Sequence, residues 1–431
     1  MGSFIKQIRY VAVVVLCAVV FTLVTNCWNN DQARKRQVDS EDLIWGRIIQ
    51  MQLGEKDTGF LGRYGAAQKN GYLRDCFREG EIPQGEWNSY THQSGLQGTL
   101  FGFVNLIFES FSLGGKIRWA ALRFGNSVLY VSAMFLLCGW IWKKQGLLAA
   151  LTALTCILFA EMSLKAMPNL YWVIWTLILP FLISAVVCDW LGKTRKWSFA
   201  LLGAVLIGLP TLFRCLCGFE FVSTVMIGAE LPVVWKMIEA EKSERIVWFK
   251  FAVLIGVFQL LAFAVAVGIW VIQDFLCFQS WSLVKEDILA TVSKRTGAFS
   301  EWVPDNEAYI ESLQVPRLSV LKLYLDQKAY LNVLSVLNLV VIAIISYVPL
   351  FIYAVVKKNF SEKVIRQGKW LAFSLISILG PASWYVLASG HSAIHKAING
   401  VLWLFPTIPL LLSVIGGNMA VIILKLRKNR Q

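Results

Sequence analysis

"FAVLIGVFQLLAFAVAVGIWVI", residues 251–272, contains no charged side chain. A bilayer-spanning helix needs about 20 consecutive, mostly apolar residues, so this stretch reads as a transmembrane helix. The rest of the 431-residue chain is of the same kind, 57% apolar and 16% charged, with 18 Trp and 27 Phe. A soluble domain could not hide so much apolar surface. Working outward from 250–272, further runs of spanning length lie at about 9–27, 119–142, 146–165, 169–190, 197–214, 219–238, 331–356, 370–388 and 398–424. The expected fold class is an all-α polytopic membrane protein with about ten transmembrane helices.

Orientation follows from the basic residues beside short loops. Lys6 and Arg9 precede the first span, and Lys143 and Lys144 follow the second. "GKTRKW" follows the fourth, "KMIEAEKSER" the sixth, "VKKNFSEKVIRQGK" the eighth and "KLRKNRQ" the tenth. All fall on one side, which the positive-inside rule makes cytoplasmic, together with both termini. The expected location is a multi-pass position in the cytoplasmic (inner or plasma) membrane. The excess of 41 Lys and Arg over 27 Asp and Glu, net +14, thus reports topology and implies no nucleic-acid partner. The first span reads as a signal anchor, because "VTNCW" offers no small-x-small cleavage site. Nine cysteines are scattered without metal-type spacing and read as buried apolar side chains.

The chain therefore divides into an anchor (1–27), a first outer loop (28–117), spans two to seven (118–272), a second outer loop (273–330), and spans eight to ten with a basic tail (331–431). Loops that long are usually functional. In the first, "DSEDLIWGRIIQMQLG" (39–54) has apolar residues at roughly helical spacing, Asp39 or Ser40 as N-cap and Gly54 as stop. Glu41 and Asp42 then sit in the first turn, where the helix dipole favours their ionised form. In "QGTLFGFVNLIFESFSLGG" (97–115), Gly98, Gly102, Asn105, Glu109 and Ser112 make one polar stripe on an otherwise apolar helix. That pattern predicts an interfacial helix lying in the membrane plane.

The chain has three histidines. His391 and His395 stand one helical turn apart in "SGHSAIHKAING", and His92 lies in "SYTHQSGLQG". The topology puts all three on the outer face. A zinc site would need a third ligand and a pattern that the sequence lacks; binding of an anionic headgroup, with Lys396 adding charge, is the other functional reading. Charges at the membrane edge are candidate sites by default. Glu161 with Lys165 reads as a helical ion pair, Arg214 and Glu220 flank the turn "CLCGFE", and Glu230 has no basic neighbour in its own helix.

The parts resemble the GT-C superfamily of integral-membrane glycosyltransferases. The likeness rests on "SEDLIWGRIIQMQLG", "GLQGTLFGFVNLIF", "KIRWAALRFGNSVLY" and "FAEMSLKAMPNLYW", within residues 1–190. "GFEF" and "WYVLASGHSAIHKAINGVLW" are also similar to uncharacterised membrane proteins of bacterial surface-polysaccharide clusters. The resemblance implies a polyprenyl-phosphate-linked sugar as donor, a glycan or lipid acceptor, the bilayer as partner, and inversion at the anomeric carbon. An acid of the first outer loop would act as base: Asp42 first, Glu41 second, Asp31 third. Arg63, His92, Arg214, Glu220, His391, His395 and Lys396 would bind substrate, the cations meeting the departing phosphate. No motif fixes a cofactor; a divalent cation is the one candidate. A flippase for lipid-linked oligosaccharide and a polysaccharide polymerase stay open as alternatives.

Overall fold

The computed structural model describes residues 2–29, 38–55, 58–65, 69–296, 307–358, 360–396 and 398–428. Helix α1 (Gly2–Thr25) carries the apolar run expected of the anchor. After it, α2 (Val38–Leu53), β1 (Leu61–Tyr64), α3 (Tyr72–Glu79) and β2 (Trp87–Tyr90) build a small cap in which β1 and β2 pair antiparallel. Residues Glu41 to Gln50 of α2 are all buried. Gly46 lies so close to β1 that a Cβ there would meet the Gly62 carbonyl oxygen at 2.2 Å. Only glycine admits that approach.

Helix α4 (Leu96–Ser110) leads into α5 (Gly115–Gln145). Then come α6 (Leu147–Leu154), α7 (Cys156–Phe159), α8 (Glu161–Ala166), α9 (Trp175–Thr194), α10 (Ala200–Cys217), α11 (Val222–Glu239) and α12 (Lys242–Phe278). The second long loop holds α13 (Trp281–Thr296), α14 (Glu307–Gln314), α15 (Arg317–Asp326) and the hairpin β3 (Lys328–Tyr330) with β4 (Leu334–Ser335). The chain closes with α16 (Val336–Val356), α17 (Glu362–Ile376), α18 (Leu379–Leu387), α19 (Ser389–Ile394) and α20 (Thr407–Lys428).

Among the described residues, seven helices are long and apolar enough to cross a membrane, against the ten runs read from sequence. The difference lies in three places. The apolar part of α1 is Arg9–Thr25, shorter than the other seven. The expected span at 146–165 is broken into α6, α7 and α8. Helix α11 carries Glu230, Lys236 and Glu239 within its 18 residues, which lowers its hydropathy. Helices α5 and α20 are central, each 67% buried along its apolar window, whereas α12 and α16 are peripheral at 22%. Bare apolar flanks of that kind are what a lipid solvent accepts.

The polar stripe of α4 is found, but it faces protein. Asn105 is fully buried and accepts from Arg118 Nη1 at 3.1 Å, and Glu109 accepts from Gln52 Nε2 at 2.6 Å. The opposite face is bare: Phe103, Ile107 and Phe111 are 57%, 56% and 72% exposed. Between the helices, Glu230 finds an amide in place of a cation, because Gln259 Nε2 of α12 donates to its Oε1 at 3.1 Å.

Candidate functional site

One cavity of ≈ 200 Å³ opens where the first long loop, the second long loop and the α18–α20 segment meet. Its walls come from seven places. The start of α2 gives Asp39, Ser40 and Leu43, and β1 gives Arg63. The end of β2 and the next turn give Tyr90 and His92. The turn before α9 gives Tyr171 and Trp172, and the α10–α11 turn gives Glu220. Helix α13 adds Thr291 and Arg295, and α19 with its cap adds His391 and His395. A cavity below the roughly 300–1,000 Å³ of whole-ligand pockets admits a headgroup more readily than an entire long-chain molecule.

Five of the substrate-binding residues read from sequence, Arg63, His92, Glu220, His391 and His395, thus share this cavity. The imidazoles of His391 and His395 lie 4.4 Å apart, centre to centre. Glu220 Oε1 is 3.6 Å from His391 Nε2, and Asn399 Nδ2 is 3.3 Å from His391 Nδ1. Burial works to raise the Glu220 carboxyl, but the hydrogen bond and charge of His391, with Arg295 and His395, hold it down at about 2. Across the cavity, Thr291 Oγ1 lies 2.8 Å from His92 Nδ1 and Asp287 Oδ1 lies 3.7 Å from the same nitrogen. Burial pushes the Asp287 carboxyl up, against a hydrogen bond from Thr91. The histidine segment is clamped from α15, where Tyr324 donates to the carbonyls of Ser392 (2.7 Å) and His395 (3.2 Å) and stacks on Tyr385.

Arg214 and Lys396 do not line the cavity. Arg214 donates to the Trp172 carbonyl at 3.3 Å and the Glu220 carbonyl at 3.1 Å, so it fixes two cavity walls from behind. Lys396 is exposed, and its carbonyl accepts from Gln327 Nε2 at 3.0 Å. Glu161 and Lys165 do form their helical pair, beside a separate cavity of ≈ 250 Å³. Among the described residues no group of three or more His, Cys, Asp or Glu side chains could hold a metal ion.

The two acids expected to act as base do not line the cavity. Glu41 takes Arg123 Nη1 on both oxygens, at 2.8 and 3.0 Å, and the Leu170 amide at 3.1 Å. Asp42 accepts the amides of Gly71 and Arg74 and so caps α3 from outside that helix. Asp31 lies outside the described residues. The acid of α2 that does reach the cavity is Asp39, which the sequence offered only as a cap. Arg295, Thr291 and Asp287 were also missed; their spacing of four along α13 was the available signal.

Burial pushes the Asp42 carboxyl up to about 6, against the Gly71 and Arg74 amides and the charges of Arg74 and Arg63. The folded value lies above the ordinary 3.8, so the contribution of Asp42 is complete below about pH 4 and fades as pH rises through about 6. Asp42→Ala is expected to leave both amides unpaired at a cost of about 1–3 kcal/mol. Hydrogen exchange at Gly71, corrected for its intrinsic rate, should accelerate in the variant. In the wild type, protection there should fall from about pH 4 to about pH 6.

No family model, curated protein or solved structure matches this chain.

Proposed function

We propose that the protein is an integral-membrane glycosyltransferase of GT-C type, moving a sugar from a polyprenyl-phosphate donor to an extracytoplasmic glycan or lipid acceptor with inversion. The observation that carries the reading is the convergence of His391, His395, Arg63 and Arg295 on one headgroup-sized cavity. A phosphate leaving group needs positive charge and hydrogen-bond donors where negative charge develops, and two guanidinium groups and two imidazoles converge there from three separate parts of the chain. In this reading the bare face of α4 lies in the lipid interface and brings the cavity mouth to the headgroup level.

The topology proposed has about ten spans, with α1, the α6–α8 segment and α11 completing the seven longer helices, and both termini in the cytoplasm. Charge placement supports it. Helices α5, α9 and α11 run from the cavity end to a cluster at their far ends, where Asp189 meets Lys144 and Lys236 at 3.0 Å each. Basic residues gather at that end, and the positive-inside rule makes it cytoplasmic.

The test is transfer in proteoliposomes supplied with polyprenyl-phosphate-linked sugars. The wild type should form a glycosidic bond of inverted configuration. Arg295→Ala and His391→Gln should each weaken donor binding about 10- to 150-fold, the worth of one charged hydrogen bond of about 1.5–3 kcal/mol. Lipid-linked oligosaccharide crossing the vesicle wall without bond formation would replace this reading with a flippase. Multi-repeat chains in place of single additions would replace it with a polymerase.

A further inference from the structure

We infer that His92, clamped by Asp287 and Thr291 of α13, is the general base of the cavity and takes the proton of the attacking acceptor hydroxyl. The inference rests on the sugar-transfer reading for its substrate, and on geometry for its residue.

Helix α13 presents Asp287, Thr291 and Arg295 at intervals of four, hence on one face. All three engage the His92 segment. Thr291 Oγ1 is 2.8 Å and Asp287 Oδ1 3.7 Å from Nδ1, while Arg295 Nη2 donates to the His92 carbonyl at 2.9 Å. The preceding residue is fixed as well: Thr91 Oγ1 donates to Asp287 at 3.0 Å, and Trp270 of α12 donates to the Thr91 carbonyl. The Tyr90 ring meets the imidazole edge-on, with centres 5.0 Å apart. A side chain held this firmly at a cavity wall has the preorganisation that a reacting group requires.

The clamp also selects the chemistry. Thr291 Oγ1 can accept an Nδ1–H at 2.8 Å, with the Asp287 carboxylate 3.7 Å away. In that tautomer, which the spectra below test, Nε2 is unprotonated and can act as a base near neutral pH. The neighbouring charges are Asp287, with Asp274 behind it on α12, Arg295, Arg63 of β1, and Glu220 across the cavity. Three acids serve other ends: Glu41 is held by Arg123, Asp42 caps α3, and Glu220 faces His391. Asp39 is the acid of the lining that the test below sets against His92. In the step proposed, the hydroxyl proton moves to His92 Nε2 as the oxygen bonds to the anomeric carbon. The bond from that carbon to the phosphate oxygen breaks, and its electron pair leaves with the polyprenyl phosphate. His92 later loses the proton to water.

A chain with three histidines makes the test direct. Imidazole 15N spectra of histidine-labelled protein, assigned with H92Q, H391Q and H395Q, should show His92 protonated at Nδ1 and bare at Nε2 in its neutral form. Asp287→Asn should move the His92 titration to lower pH, because a neighbouring negative charge is lost. In turnover, His92→Gln should lower kcat roughly 10²–10⁴-fold, keep donor KM within a few-fold, and remove the acid limb of the pH–rate profile. Thr291→Val, which keeps the imidazole, should shift that limb. An Nε2-protonated neutral ring would overturn the assignment. So would an acid limb that survives in H92Q and disappears in Asp39→Asn. Wild-type protein that transfers no sugar would instead overturn the reaction reading, and the base role with it.

Discussion

Arg123→Leu is expected to cost about 3–5 kcal/mol, whereas Arg123→Leu combined with Glu41→Leu should recover most of the loss. Both partners are buried, at 0% and 2% exposure. Removing one takes away the opposite charge that offsets the other's lost hydration; removing both leaves an apolar contact of similar shape. The pair matters because of what it joins. Through Arg123, Glu41 and the Leu170 amide, α5 is tied to α2 and to the turn that supplies Tyr171 and Trp172 to the cavity. Native stability is typically only about 5–15 kcal/mol, so either single variant should melt markedly earlier and lose the cavity's function through its fold. The measurement is thermal unfolding of the three variants in detergent, followed by ligand binding to the folded fraction. A Glu41→Leu protein that melts with the wild type but has lost all turnover would return Glu41 to the chemistry. A double variant no better than the singles would show that the pair is not what holds the two elements.

That outcome bears on why the acid of α2 that reaches the cavity could not be read from the sequence. Asp39, Glu41 and Asp42 are neighbours in the chain, but successive helical positions turn through about 100°. The three therefore face a cavity, a buried arginine and the amides of α3. The apolar residues of α2 recur at roughly helical spacing, but Glu41 to Gln50 are buried on every side, so that spacing did not tell these directions apart. The apolar spans were legible for the opposite reason: lipid demands length and composition, and both are local properties. The bend that splits the third run is not local; it comes where Leu331 of the β3–β4 hairpin donates to the Phe159 carbonyl. Topology alone put the three histidines on one face, and the cavity then brought them together. What made that meeting a site was α13, whose Asp287, Thr291 and Arg295 lay in a loop with no strong apolar period to announce a helix face.

Glu220→Gln should weaken binding of a polyprenyl phosphate about 10- to 150-fold near neutral pH, again the worth of one charged hydrogen bond. Glu220 is held at about 2, below the ordinary 4.5 of a glutamate, so it carries its charge throughout the physiological range. From 3.6 Å its Oε1 holds the His391 ring against the cavity wall, with Nε2 toward the carboxylate. Without it, His391 keeps its Asn399 neighbour and its contact with His395 but loses the carboxylate that fixes the ring. The turn itself should survive, because Arg214 grips the Glu220 carbonyl and not its side chain. The same pair predicts an acid effect of opposite sense to that at Asp42: its stabilisation is present above about pH 4.5 and is lost as pH falls toward about 2. Titrating the lipid phosphate at pH 6, 7 and 8 in both proteins, alongside melting curves down to pH 3, separates the two consequences. Equal affinities would mean that His391 does not depend on Glu220 for its placement. A Glu220→Gln protein as acid-sensitive as the wild type would mean that the pair contributes nothing to holding α19 against the α10–α11 turn.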